Sequence, residues 1–571
     1  MLKKGLYLVL FICFSFGYAQ EVQKQNLSKK VINYYDFNRT QKESEGYYYV
    51  DPLGETTLKH GTWKYYDRYG VLIEVRNYYK NQPHGLVTVF YPNRKKATEG
   101  YFLLGEQDSV YTSWYESGKI KETGFFKANA PAGKWQYFYS DGREKLVEKY
   151  VGEDVLIESF WLPNDTHKQT VINGNGEKAT YYSNGKIKEF YTYKNGMKDG
   201  KFEEASIYGY YLLRGEFKEN KKYGEWKYYY YTGDLEKISH YKNDKLEGDY
   251  KYYYDTGKIN VEGQYTNGEK NGLWTWYTNQ GNVDMQGEFT NDAMNGKWIY
   301  NYPTGELSYE AFYEEDLKEK EWIYYYKDGT VFKRGTFSND KKNGSWQTWY
   351  ENGTLLMKGT YTDDLEQGVW KNYWENGELK NEATFLNGKL NGTWMSFYEN
   401  GKQKLIGEYE EEMKVGEWSE YFDNGKLKDV GHYKIKKDKS KIDYGPMKNR
   451  EKKTSVKHGE WLSYSAKDFE LTQKGNYKNG QKDGEWIAYY PGGRTPVVIS
   501  NYKDGKLDGK MTEHRRRGGK LRSETDYKNG LKHGKVIIYD KRGRKTTELK
   551  YEKGSRVIEG AQSARGSFTP N

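Results

Sequence analysis

The sequence has one cysteine, ten prolines in 571 residues, and no long hydrophobic run after its first twenty residues. Each shortage excludes something. The single Cys13 lies inside the N-terminal apolar stretch, so the mature chain is expected to have no disulfide, no thiol chemistry and no cysteine metal site. Hydrophobic residues make up only 36 % of the chain, against about 45–50 % in an ordinary soluble domain. Several thick aliphatic cores are therefore excluded. Helical periodicity is absent beyond the N-terminus, which excludes a bundle. Disorder is excluded in turn by the 18 % of aromatic residues, among them 61 Tyr and 17 Trp. What remains is a thin fold whose apolar surface is mostly ring.

Lys3 and Lys4 precede an apolar run from Leu6 to Phe16 and then Gly17-Tyr18-Ala19. This is the charged, apolar and small-residue order of a secretory signal peptide, expected to be cleaved after Ala19. The run is too short for a membrane span, which needs about 20 residues. The protein is thus expected to be exported, to the periplasm, the outer surface or the medium.

A repeat organises the rest. Glycines recur every 24 residues at 200, 224, 248, 272 and 296, and again at 344, 368, 392 and 416, with Lys320 in the one broken slot. Two positions after each anchor stands an aromatic residue, such as Trp226, Trp346 or Trp370. Nine positions after it stands glycine, and seventeen after it another aromatic, such as Phe337 or Tyr361. Poorer copies begin at Gly61, Gly85, Ser109, Gly133 and Gly176, and at Gly459, Gly484, Gly509 and Gly534, for about 19 units. Such periods mean stacked supersecondary units.

Each unit reads as a β-hairpin. In the unit at Gly344, Gly344–Tyr350 is an aromatic strand, Glu351-Asn352-Gly353 a turn, Leu355–Thr362 a second strand and Asp363–Gln367 a second turn. Asn-Gly, the strongest short hairpin signal because both residues tolerate positive φ, fills the first turn at 352–353, 376–377, 400–401 and 424–425. The expected fold is all-β: an elongated single-layer antiparallel stack of hairpins. In this register Trp346 faces the small residue at position fifteen, Gly359, while the aromatic at position seventeen faces the next unit's anchor glycine. Each ring would then cover a bare glycine. The ring at position five points to the other face.

The unit spelled by Gly368–Gly392 and, with small departures, by Gly392–Gly416, G-x-W-x-x-Y/F-x-x-N-G with a second N-G turn, resembles the MORN-repeat variant family. His60-Gly61, His84-Gly85, His458-Gly459 and His533-Gly534 strengthen the resemblance. The resemblance implies stacked hairpins that act as scaffolds or binding surfaces, and an antitoxin-type label attached to bacterial members.

The expected division is a signal peptide (1–19), a lead-in (20–60), a repeat block (61–152), an interruption (153–175), a second block (176–433), a basic insertion (434–458), a third block (459–554) and a C-terminal tail (555–571).

No motif carries catalytic chemistry. The histidines fall in repeat slots, whereas catalysis needs unlike groups converging in a cleft. No enzyme activity, cofactor or metal is expected. Charge is uneven: residues 434–571 carry 34 Lys/Arg against 17 Asp/Glu, while the remainder is net acidic by seven. Lys436, Lys437, Lys439, Lys452 and Lys453, with Arg515, Arg516 and Arg517, are candidate contacts for an anionic surface. The rings at position five, Tyr325, Trp349, Tyr373, Phe397 and Tyr421, are a candidate binding row. Three functions follow: an exported scaffold that binds proteins, a surface that binds glycans through its rows of rings, and an immunity or toxin-neutralising protein. Export disfavours nucleic acid as a partner.

Overall fold

The computed structural model describes residues 27–438 and 452–558. Among them there are 45 strands and no helix, in an open antiparallel sheet. The chain divides into two units, one of residues up to 271 with 279–281, the other of the remainder. In each unit, strands pair with the strands next to them in sequence. The lead-in contributes the strands Val31–Tyr34 and Lys42–Tyr48, and the 153–175 stretch contributes Asp154–Trp161 and Gln169–Ile172.

The second turn of each repeat is a two-residue hairpin. Asp363 and Asp364 have φ of 49° and 67°, and Asn387 and Gly388 have 51° and 76°. Positive φ at both central residues is the turn whose twist matches the flanking strands. The first turn differs from expectation. Gly353 alone has positive φ, at 81°, and its N–H donates to Tyr350 O over 3.0 Å. This longer loop spares Asn352 the left-handed backbone, and its side chain bonds the next unit instead. Asn352, Asn376 and Asn400 each donate Nδ2–H to a carbonyl in the following first turn, at 3.3, 2.8 and 2.8 Å.

The anchor glycine marks a bulge. Lys358 pairs with Lys371 and Thr360 with Gln367, so Gly359 alone stands against Gly368, Val369 and Trp370. The bulge needs a left-handed residue, and Gly368 supplies it at φ 64°. Lys320, in the broken slot, is held at φ 55°, and its strand is split there into Leu317–Lys318 and Lys320–Tyr325.

The bulge also corrects the expected register. Trp346 does pair with Gly359, but Tyr361 pairs with its own unit's anchor Gly344, not the next one. On the following strand Tyr361 meets Glu366, two residues before Gly368. The extra residues spent at the bulge shift the pairing by that amount.

Trp, Tyr and Phe rings build the core on one face. Phe337, Trp346, Tyr361 and Trp370 meet edge to face, with centroids 5.2, 5.8 and 4.8 Å apart. Such pairs contribute about 0.5–1.5 kcal/mol each beyond area burial. Trp226 is fully buried, and its Nε1–H donates to Glu216 O at 3.1 Å. Trp322, Trp346 and Trp486 do the same at 3.2, 3.1 and 2.9 Å. In these four the acceptor is the carbonyl one residue after the small residue that the indole covers, at the bulge, whereas Trp418 donates to Val415 O at 3.1 Å. Across the bulge each indole covers that small residue. Wherever it is glycine, as at Gly215, Gly287, Gly335, Gly407 and Gly475, a Cβ would stand 2.0–2.3 Å from the next unit's indole.

Candidate binding surfaces

The other face, the more polar of the two, mixes charged and apolar pairs and varies from unit to unit. Positions three and fourteen pair there as Lys371 with Glu382, Ile323 with Arg334, Met395 with Ile406 and Ser419 with Val430. The Lys371–Glu382 ion pair spans 2.8 Å, and Lys297–Glu310, one strand apart at neighbouring positions, spans 2.7 Å. Exposed pairs of this kind contribute little to stability. Repetition of the fold does not require these residues.

Tyr325, Trp349, Tyr373, Phe397 and Tyr421 fall at one register position of successive repeats on this polar face, and all are half-buried. They stand opposite Val331, Leu355, Leu379, Gln403 and Leu427. Arg334 lies over the Trp349 ring at 5.4 Å, in a hollow of about 280 Å³ shared with Thr330, Val331 and Gly353.

A device unread in the sequence ties this row together. The tyrosine one position on donates its hydroxyl to the backbone of the next unit's ring residue. Tyr302 reaches Tyr325 O, Tyr326 reaches Trp349 O, Tyr350 reaches Tyr373 O and Tyr398 reaches Tyr421 O, all at 2.8–3.0 Å. The column of tyrosines is visible in the sequence, but its partner is not.

A second unread column lies on the ring face. Lysine two residues before the anchor sets its ammonium over the rings of its own unit. Lys342 stands 5.2 Å from the Trp346 ring and 4.9 Å from Tyr361. Lys222 stands 4.4 Å from Trp226, Lys414 4.0 Å from Trp418, Lys457 3.9 Å from Trp461 and Lys482 4.1 Å from Trp486. Loss of water around Lys222, Lys414 and Lys482 holds their ammonium groups below the usual lysine range, and a neighbouring lysine adds to it.

The basic residues separate. The strands Leu427–Asp438 and Lys452–Tyr464 run on past the usual second turn, pairing Lys436 with Thr454, Lys437 with Lys453 and Asp438 with Lys452. Lys453 also meets Glu411 at 3.0 Å. Lys439 lies outside the described residues. Arg515 occupies the tyrosine-hydroxyl column: its Nη2 donates to Tyr539 O at 2.8 Å. Arg516 and Arg517 are exposed in the turn that follows.

Three of the histidines before anchor glycines are turn acceptors. His60, His84 and His533 accept the backbone N–H of Lys80, Leu104 and Lys553 through Nδ1, at 3.3–3.4 Å. Asp508 does the same for Asn529 at 3.0 Å. Burial lowers the pKa of His60 and His84, which favours the neutral acceptor form. Among the described residues no group of three or more His, Cys, Asp or Glu side chains is placed to hold a metal ion. None of them forms a helix long and apolar enough to cross a membrane.

The model of the MORN repeat variant family matches residues 107–128, 222–243, 246–267, 294–315, 342–363, 366–387, 390–411 and 414–434. No curated protein matches the chain. Solved structures similar to it include the crystal structure of TcdB2-TccC3 without its hypervariable C-terminal region. There the identity is 10 %, over 91 % of this chain and 32 % of that one, with a TM-score of 0.13. The structure of the Photorhabdus luminescens Tc holotoxin pore gives 12 %, 90 %, 30 % and 0.11. The chain spans about a third of the length of these chains. Eight matched stretches, carrying the anchor and ring positions described above, make these repeats MORN-repeat variants.

Proposed function

We propose that the protein is a non-enzymatic, exported repeat scaffold that binds protein partners at the cell envelope or outside the cell, through the polar face of its sheet. One observation carries the reading. The ring face repeats the same residue types and buries its tryptophans, whereas positions three and fourteen of the polar face change from unit to unit beside the recurring ring at position five. A surface that the fold leaves free to vary is where partner-specific contacts reside. The N-terminal signal-peptide pattern supports export.

The test is retention of envelope proteins on the full mature chain and on a variant with Gln347→Ala, Lys358→Ala, Lys371→Ala and Glu382→Ala. Retention of a defined protein by the parent and its loss from the variant, with unchanged melting, is the expected result. A partner retained equally by both would overturn the assignment to this face. Intact protein starting at Met1 in the cytosol would overturn export.

A second reading concerns the long hairpin. Beyond the Lys453–Glu411 pair, its strands Leu427–Asp438 and Lys452–Tyr464 carry more lysines than carboxylates. An anionic envelope surface suits that excess, and vesicle binding that falls steeply with salt is its expected signature.

A further inference from the structure

Two adjacent repeats in the first unit abandon the family's turn chemistry. Where regular first turns read Glu-Asn-Gly-Lys, residues 207–211 read Ile-Tyr-Gly-Tyr-Tyr, and Tyr230-Tyr231-Thr232-Gly233 follows one period on. The turn itself is unchanged: Gly209 N–H donates to Ser206 O and Ser206 N–H to Tyr210 O, both at 2.8 Å. The substitutions therefore do nothing for the hairpin. They place Tyr208 and Tyr231 in water, 73 % and 81 % exposed. Tyr210 lies along the next turn, its ring 3.1 Å from where a Gly233 Cβ would stand. The turns on either side, Ser183-Asn184-Gly185 and Asp255-Thr256-Gly257, are polar again.

A second departure lies beside the first. Position five, a ring in the regular repeats, is Ala205 here, and it is 7 % exposed. Losing that ring opens a concavity of about 400 Å³ lined by Lys186, Ile187, Glu203, Ala205, Tyr208 and Tyr211. Glu203 is 8 % exposed at this site. Lys201 Nζ and Arg214 Nη2 hold it at 2.9 and 3.0 Å, and Arg214 Nε adds a hydrogen bond of 3.1 Å. All three contacts fall on Oε1, which leaves Oε2 to accept hydroxyl protons. The Arg214 guanidinium in turn lies 4.4 Å from the Tyr211 ring centre and fixes that wall.

We propose that this concavity is a glycan-binding subsite, taking a pyranose ring against the face of Tyr208 with its hydroxyls donating to the Glu203 carboxylate. Flat ring faces beside a buried, oriented carboxylate suit a ligand with one apolar face and a rim of hydroxyls. A protein partner suits them less. The concavity is lined by two neighbouring repeats, whereas a stable protein interface takes about 800 Å² per partner. The inference is independent of the scaffold reading, because it rests on the alanine at position five together with the turn tyrosine; Tyr69 holds the same turn slot, 93 % exposed, but follows a ring, Tyr66, at position five.

The test is a glycan array of neutral hexose, N-acetylhexosamine and uronate oligosaccharides, probed with the full mature chain and three variants. Tyr208→Asn with Tyr231→Asp restores regular turn chemistry at exposed positions and should leave melting unchanged. Binding to one oligosaccharide class by the parent, weakened at least tenfold in this double variant, is the expected result. Ala205→Tyr refills the concavity and should abolish binding. Glu203→Gln, which keeps the shape, should weaken it about tenfold. Absence of binding to every glycan overturns the proposal, as does binding unchanged in the double variant. Retention of a protein by these tyrosines without any glycan binding overturns it too.

Discussion

A Cβ on Gly359 would stand 2.0 Å from Cδ2 of Trp370, the tryptophan of the following repeat. Gly359 lies in an ordinary extended strand, so the indole and not the backbone excludes a side chain. Strand propensity favours valine over glycine, yet Gly359→Val should destabilise, by roughly 1–3 kcal/mol or more from overpacking. Nearest-neighbour coupling confines the effect, so hydrogen exchange should quicken in residues 344–392 and stay unchanged in distant repeats. Unchanged exchange there would show that the indole moves away without cost.

Tyr350→Phe deletes the hydroxyl that reaches Tyr373 O at 3.0 Å. The loss should be about 0.5–1.5 kcal/mol. Denaturant titration of a single-site variant, with exchange at the turn around Tyr373, checks it. A larger global loss would mean that the tyrosine column acts cooperatively.

Lys320→Gly should stabilise the protein by about 1 kcal/mol. The left-handed backbone at φ 55° costs a non-glycine residue roughly 1–2 kcal/mol. Against this, glycine loses the Lys320 contact over the Phe312 ring at 3.7 Å, typically about 0.5–1 kcal/mol at exposed sites. A rise in melting temperature with slower exchange at 317–325 is the expected outcome. A fall would mean that the lysine–ring contact outweighs the strain.

Alkaline pH should unfold the protein through its tyrosines. Burial pushes Tyr78, Tyr191, Tyr250 and Tyr309 up to about 12 from an ordinary value of 10.0. A group raised in the folded state contributes stability that is complete below its unfolded pKa and lost as pH climbs through the folded one. Stability should therefore fall between about pH 10 and pH 12. Lys222, Lys414 and Lys482 are lowered and act oppositely, adding stability as pH rises toward 10.5. The tyrosines outnumber them and shift further. Tyrosinate absorbance rising together with loss of the β-sheet signal would confirm the sign. Tyrosinate appearing first, with the sheet intact, would refute it.

The periodic features of the fold are legible in the sequence. The 24-residue step, the second-turn Asn-Gly pairs and the opposition of Trp346 to Gly359 follow from spacing and turn chemistry. The pairing of Tyr361 does not, because alternation counts residues equally on both strands and a bulge spends extra ones. Only the left-handed backbone at Gly368 reveals it. The column of lysines at 222, 342, 414 and 482 is plain in the sequence, but charge alone reads as solvent-facing, and its seat on the indoles becomes visible only with the register. Arg515 reads as part of a basic cluster until its bond to Tyr539 O shows it doing a tyrosine's task. The concavity at Ala205 was hidden for the opposite reason: a small residue in a ring column looks like decay of the repeat.

Because strands within each unit pair with their near neighbours in sequence, the distance along the chain between touching residues stays within about two periods, as between Ile157 and Gly196. Contact order this low for an all-β protein removes the usual penalty of closing long loops before strands can meet. Each hairpin needs only its predecessor as a template. The chain can therefore fold in the order in which it is delivered, from the N-terminal end, with no step that waits for the C-terminus.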